Sequence, residues 1–231
     1  EICACLVGSE MCIRDRFRAE NVDGTRTHLN IDYCNENIKT VYHELFDEAL
    51  ERYNAKQTRS DRKIKDYYEK IRSSKQEKPF REIILQVGGK GNMNADTENG
   101  DLAKQVLNEY YQGFQERNPQ LRVFSAHLHM DEATPHLHID FVPFTTGSKR
   151  GLDTRVSLKQ ALATQGFKGG SRGDTEWSQW VQSEKEQLAA VMERYGIEWE
   201  HKGTHEKHLS VLDYKKQERE KEVAVLGAKI E

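Results

Sequence analysis

An α+β fold, a central and mainly antiparallel sheet flanked by helices with a charged C-terminal helical extension, is what this sequence predicts. Three observations lead there. Two runs rich in β-branched, aromatic and alternating residues, 121 to 130 and 136 to 144, are joined only by the polar stretch Asp131 to Pro135, which favours an antiparallel return. A third apolar run, Arg81 to Val87, precedes them across a helical stretch, giving the order strand, helix, strand, strand. From His205 to Lys229 the chain is so highly charged that a long exposed helix is expected.

The elements follow in chain order. Leu6 to Arg16 reads Leu-Val-Gly-Ser-Glu-Met-Cys-Ile-Arg-Asp-Arg and resembles, codon by codon, the translation of a sequencing-library adapter. Residues 1–16 are therefore set aside as a foreign segment. The native sequence is expected to begin near Phe17, and the helical pattern running into Glu231 suggests truncation at that end as well. Without Cys3, Cys5 and Cys12 only Cys34 remains, so neither a disulfide nor a Cys-rich metal site is expected. The expected organisation is this segment, a domain over residues 17–200 and the start of a charged helical region over 201–231.

Between Ile38 and Lys56 apolar residues fall at Val41, Leu45, Phe46, Ala49, Leu50 and Tyr53, a helical period. A second helix is predicted from Ser60 to about Ser73, with Ile64, Tyr67, Tyr68 and Ile71 on one side. The strand Arg81 to Val87 ends in Gly88-Gly-Lys-Gly91, which lacks the full phosphate-binding fingerprint and predicts a turn. Asp101 to Glu116 carries a helical stripe of Leu102, Val106, Leu107, Tyr110, Tyr111 and Phe114, stopped by Asn118-Pro119. Residues 145–173 bring six glycines and Lys149, Arg150, Arg155, Lys159, Lys168 and Arg172 against Asp153 alone, the composition of a flexible basic loop. A helix from Asp174 to Tyr195 closes the domain, with Trp177 and Trp180 expected in the core.

Composition narrows the function classes. The 231 residues are 36% hydrophobic and 32% charged, with no apolar run of membrane-spanning length and no secretory segment, so residence in the cytoplasm is the expectation. A net charge of −3 excludes a uniformly basic nucleic-acid coat, but its distribution is uneven. Arg52 to Arg81 holds eleven Lys and Arg against four Asp and Glu, interleaved with Tyr53, Tyr67, Tyr68 and Phe80. Basic side chains neutralise phosphates and aromatic faces stack on unpaired bases, so this segment, with Arg62, Lys63 and Lys65 at its centre, is a candidate nucleic-acid surface. Lys149, Arg150 and Arg155 form a second.

Residues 129 to 138, His-Met-Asp-Glu-Ala-Thr-Pro-His-Leu-His, carry the chemistry. Alternation along a strand puts His136 and His138 on one face, and an antiparallel return brings His129 beside them. Three neutral imidazoles suit a borderline divalent ion and leave coordination positions open to water or a phosphate oxygen. The spacing alone leaves His127 as an alternative to His129 or as a DNA contact. Glu132, in the connecting turn, is a candidate fourth ligand or orienter of water, with Asp131 behind it.

The string His129-x-Asp131-Glu132-x-x-Pro135-His136-x-His138, followed by Val142-Pro143, resembles the metal motif of plasmid mobilisation and recombination (Mob/Pre, MobV-type) relaxases of the HUH endonuclease superfamily. Arg26-Thr27-His28-Leu29-Asn30 resembles that family's second short motif. The resemblance implies an HUH relaxase-like fold in a bacterial cytoplasmic protein. It implies metal-dependent nicking and strand transfer of single-stranded or supercoiled plasmid DNA at an origin of transfer, with Mn²⁺ or Mg²⁺ as cofactor and a covalent protein-DNA intermediate. It gives His129, His136 and His138 as metal ligands, Glu132 and His28 as catalytic residues, and Asp131, His127, Arg26 and Asn30 as supporting or DNA-contacting residues. It also makes the conjugation machinery a partner, and the charged C-terminal helix is a candidate homodimer contact. The nucleophile is expected in the missing N-terminus, with His28, Tyr33 and Tyr42 as poor substitutes. Two alternatives stand beside this: a catalytically incomplete plasmid DNA-binding module, and another three-histidine metallohydrolase.

Overall fold

A computed structural model of the chain describes residues 22–89, 92–199, 216, 219 and 220. The chain divides into two compact units, Glu1–Trp199 and Glu200–Glu231. In the second, the described residues 216, 219 and 220 are helical; the rest of the predicted C-terminal helix, the segment 1–16 and the expected nucleophile lie outside the described residues. Among the described residues no helix is long and apolar enough to cross a membrane.

Five strands build the sheet: β1 (Ile31–Asn35), β2 (Arg81–Gln86), β3 (Leu121–His129), β4 (His136–Thr145) and the short β5 (Arg155–Val156). Their order is β1-β3-β4-β2, with β5 also on β4, and each pairing is antiparallel. The predicted α+β class is what the chain adopts. The edge strand β1 has no counterpart among the predicted strands; its five residues show no clean alternation, and its pairing with β3 places it.

A bulge in β3 divides the labour of the two faces. Leu121 and Val123 point into one core, and the register then shifts between Val123 and Ser125, so that Ala126 and Leu128 continue that same core. Phe124 is displaced to the opposite face, and Ser125, His127 and His129 follow it there, alternating with the core residues. On the first face, Ile83, Leu85, Leu137, Ile139 and Phe141 complete a surface covered by α3 (Glu98–Gln112), α4 (Phe114–Arg117), α5 (Leu158–Thr164) and α6 (Glu176–Arg194). Trp180 is fully buried there with Trp177 packed against the same cluster, as predicted. On the second face, α1 (Ile38–Ala55) and α2 (Tyr67–Arg72) cover one end, packing Val41, Tyr42, Phe46, Tyr67 and Ile71 onto Phe124, Val142 and Val156. The histidines occupy the remainder of that face.

Helix ends follow local capping. Thr97 caps α3, which begins at Glu98, three residues before the predicted start, and Thr175 caps α6 with a reciprocal capping box. Three expectations fail. The helix predicted over 60–73 is a 3-10 turn at Ser60–Arg62, an extended link and then α2. Asn54 bonds both the N–H and the carbonyl of Ile64, holding that link open, and Asp66 starts a new helix by accepting from the Glu69 N–H. The predicted helix 101–116 breaks at Gly113, so Phe114 lies in a separate short turn. The predicted flexible loop 145–173 contains β5 and α5, because Val156, Ala161 and Leu162 bury apolar surface and Ser157 caps α5.

Candidate metal centre

The register of β3 on β4 sets the centre. His129 stands directly opposite His136, and His127 opposite His138. Ring centroids of His129, His136 and His138 lie 5.1, 5.1 and 5.0 Å apart in pairs, and one nitrogen from each ring falls within 4.8 Å of the others. Strand alternation therefore brings together His129, His136 and His138, the three that the family resemblance had chosen where spacing alone left His127 open.

Each ring is held from behind. His136 Nδ1 sits 2.9 Å from the Thr134 carbonyl, and His138 Nδ1 sits 2.7 Å from Glu82 Oε1. Both acceptors call for a proton on Nδ1, which leaves the Nε2 lone pair for a ligand. His129 Nδ1 lies 3.6 Å from Asp131 Oδ1. The side chains of His136 and His138 are each 12% exposed, and His129 is buried. Three oriented imidazoles fit a borderline divalent ion best, and a carboxylate beside them, such as that of Glu132, suits the harder manganese or magnesium.

Carboxylates surround the rings. Glu132 Oε1 approaches His136 Nε2 to 3.9 Å, on the nitrogen's outward side. Burial raises the Glu82 carboxyl, and burial followed by repulsion from Glu82 pushes Asp140 up to about 7. At Asp131 burial opposes ionisation, yet hydrogen bonds from Asn30 and Thr27 prevail, bringing it below the ordinary aspartate value. Asp32, 62% exposed at its side chain, holds His127 Nδ1 at 2.6 Å, and Ser125 Oγ lies 3.1 Å from the ring's Nε2. With both ring nitrogens so engaged, His127 is a neighbour of the three-histidine cluster and not part of it.

Arg26 and Asn30 reach the turn after β3. His28 is exposed on a 3-10 turn, Thr27–Leu29, its Nδ1 2.8 Å from the Thr25 carbonyl. Tyr33 and Tyr42 are drawn elsewhere. Tyr33 stacks on Tyr111 beside the helix-covered face and donates to Asn108, with burial pushing its hydroxyl up to about 12. Tyr42 is buried and donates to the Pro79 carbonyl.

The basic segments are more structural than their composition implied. Arg62, Lys63 and Lys65 are exposed on the link before α2, but Tyr67 is core and its hydroxyl accepts from the Val156 N–H. Phe80 packs edge-on against Phe124. Lys149 and Arg150 are exposed, whereas Arg155 braces its own loop through Ser148 and Gln160. Sequence reasoning missed Glu82 and Asp32. Glu82 precedes an apolar run on β2, and a charged residue facing a histidine across a sheet was its only signal.

Comparison with known proteins identifies the chain's relatives. A plasmid recombination enzyme type 3 from Staphylococcus aureus is 29% identical over 153 residues, covering 64% of this chain and 32% of the relative. A plasmid recombination enzyme from a Bacillus species is 27% identical over 128 residues, covering 54% and 26%. The chain thus spans about a third or less of the length of the curated relatives it matches. Among solved structures, the MobM relaxase domain (MOBV) bound to plasmid pMV158 oriT DNA with Mn superposes with a TM-score of 0.52. That likeness covers 94% of this chain and 98% of that one at 18% identity, and it establishes the fold. A family model described as plasmid recombination enzyme matches residues 8–216, beginning inside the segment expected to be foreign. With that match spanning most of its length, the chain belongs to the Mob/Pre plasmid recombination enzyme family.

Proposed function

We propose that the chain is the relaxase portion of a larger plasmid mobilisation protein, nicking single-stranded DNA at an origin of transfer in a reaction that requires a divalent metal. The observation that carries this is the convergence of His129, His136 and His138, one nitrogen each within 4.8 Å, from two adjacent strands. These three residues would hold Mn²⁺ or Mg²⁺, the former being the metal of the similar MobM domain, which is bound to oriT DNA. Such an ion supplies Lewis-acid polarisation of the scissile phosphate.

The protein's own groups do the rest. Glu82 and the Thr134 carbonyl keep the His138 and His136 rings in the tautomer and orientation that direct Nε2 outward. Glu132, 3.9 Å from His136 Nε2, is placed to complete the ligand set or to orient water. His28, exposed on the segment that reaches the turn, is assigned to the DNA side of the site. In the nicking step a protein nucleophile bonds to phosphorus, the bond from phosphorus to the 3′ oxygen breaks, and that oxygen leaves with a proton as a free 3′-hydroxyl. The 5′-phosphate then stays on the protein until a second 3′-hydroxyl reverses the exchange, which is strand transfer. Arg62, Lys63, Lys65, Lys149 and Arg150, all exposed, are assigned to the DNA backbone, with Arg155 beside them.

A second reading, a metal-bearing DNA-binding module that does not nick, is favoured by one observation: Tyr33 and Tyr42 are committed to packing and hydrogen bonds away from the histidines. Incubating the full-length protein, with its native N-terminal segment restored, with Mn²⁺ and a labelled single-stranded origin oligonucleotide separates the readings. A covalent protein-DNA species that disappears in His136→Ala supports the relaxase. Origin binding without any adduct, unchanged in His136→Ala, supports the binding module.

A further inference from the structure

Arg26 and Asn30 precede β1, yet both end on the turn that links β3 to β4. The Arg26 guanidinium donates to the Met130 carbonyl and, at 3.1 Å, to the Glu132 carbonyl. Asn30 uses both ends of its amide: the Met130 N–H donates to Oδ1 at 2.6 Å, and Nδ2 donates to Asp131 Oδ2 at 2.7 Å. Between them the Asp23 N–H donates to the Asp131 carbonyl at 2.7 Å. Three consecutive carbonyls, of Met130, Asp131 and Glu132, thus accept from one short segment.

That segment is itself anchored. The Asp23 carboxylate takes hydrogen bonds from the Thr25 N–H and hydroxyl, at 3.0 and 2.6 Å. Lys104 Nζ donates to the Leu29 carbonyl at 3.1 Å, tying the segment to α3. Ile31 then pairs with Leu128 two residues before the turn begins. The turn has no regular secondary structure over Met130 to Pro135. It is flanked by His129 and His136 and carries Glu132, so its conformation sets the spacing of the donor set.

We propose that Arg26 and Asn30 are positioning residues that lock this turn and thereby set the metal affinity of the centre; the inference rests on the metal reading above. Immobilising a ligand-bearing turn before the ion arrives removes an ordering cost from binding. Outer groups that hold ligands in place typically contribute about 10- to 100-fold in metal affinity. Both carbonyls accept from one guanidinium nitrogen, Nη2, at the end of a side chain one atom longer than that of lysine, so a lysine here would reach the turn less well.

The test is titration of metal-stripped protein with MnCl₂ by calorimetry, alongside thermal melts in chelator. Arg26→Lys and Asn30→Asp are compared with Asn54→Asp, a matched control, because Asn54 also bridges backbone with both amide ends but does so at Ile64, on the link before α2. The expected result is a loss of Mn²⁺ affinity of about tenfold or more in Arg26→Lys and Asn30→Asp. Asn54→Asp should lower the melting temperature and leave Mn²⁺ affinity at the wild-type value. Wild-type affinity in both site variants, or a loss equal to that of Asn54→Asp, overturns the proposal. If Arg26→Lys fails to fold, Asn30→Asp and Asn30→Ser carry the comparison. Failure of the wild-type protein to bind Mn²⁺ at all would instead overturn the metal reading on which the proposal rests.

Discussion

Glu82 Oε1 and His138 Nδ1 meet at 2.7 Å across β2 and β4, a diagonal contact in a register that sets Ile84 opposite His138 and Glu82 opposite Asp140. The Glu82 side chain is only 9% exposed, and a carboxylate acceptor there both fixes the imidazole tautomer and raises the basicity of its far nitrogen. Glu82→Gln keeps an oxygen in place and removes the charge. Mn²⁺ affinity measured by calorimetry is expected to fall by about 10- to 100-fold, with Glu82→Ala at the larger end. Unchanged affinity in both would refute the role.

Glu184, only 6% exposed, ties three elements together beneath the covered face. Its Oε2 accepts from the Tyr110 hydroxyl at 2.5 Å and from Arg117 at 3.0 Å, and its Oε1 from Asn118 at 2.9 Å. Removing one partner of a buried pair leaves the others desolvated and unsatisfied. Glu184→Ala should therefore lower the unfolding free energy by about 3–5 kcal/mol, and Glu184→Gln by less. Urea denaturation followed by tryptophan fluorescence measures both.

Gly100 sits in the first turn of α3, where Ala ordinarily stabilises a helix by up to about 1 kcal/mol relative to Gly. Here an added Cβ would meet the Asn94 carbonyl oxygen at 2.4 Å and Ala95 Cα at 2.7 Å, both backbone atoms that cannot swing aside. The steric term wins, and Gly100→Ala is expected to lower stability by about 1–3 kcal/mol. A raised melting temperature would show that the 94–95 backbone yields.

Alkaline pH should unfold the domain through its buried phenols. Burial raises Tyr33 to about 12, and it also raises Tyr111 and Tyr42. An unfolded tyrosine ionises near pH ~10. With the folded value above the unfolded one, the contribution is complete below about pH 10 and is lost as pH climbs towards about 12. Denaturation midpoints are expected to hold to about pH 9.5 and then fall, less steeply in Tyr33→Phe. Equal slopes in both proteins would exclude Tyr33 as a contributor.

Local pattern alone makes the metal centre legible. Two strands around a short turn, with histidines at alternate positions, can converge in few ways, because the side-chain period of a strand is two. The same logic locates β2, β3 and β4 and the apolar stripes of α1, α3 and α6. It fails where a distant partner overrides local preference. Asn54 interrupts the helical pattern after Ser60, and the core claims Val156, Ala161 and Leu162 out of a segment whose glycines and charges suggest a loop. It also overstates Tyr67 as a stacking platform, since amphipathic spacing does not say which face is covered.

By itself, then, the sequence determined the α+β class and the His136–His138 pair, because both follow from short-range periodicity, while His129 rather than His127 as the third imidazole came from the motif it shares with a known family. Only the tertiary structure decided what stands behind them. Glu82 reaches His138 from 56 positions away, Asp32 reaches His127 from 95, and Arg26 reaches the Met130–Glu132 turn from more than 100. Such contacts exist because the β1-β3-β4-β2 order folds remote segments onto one face, and no local periodicity encodes that order.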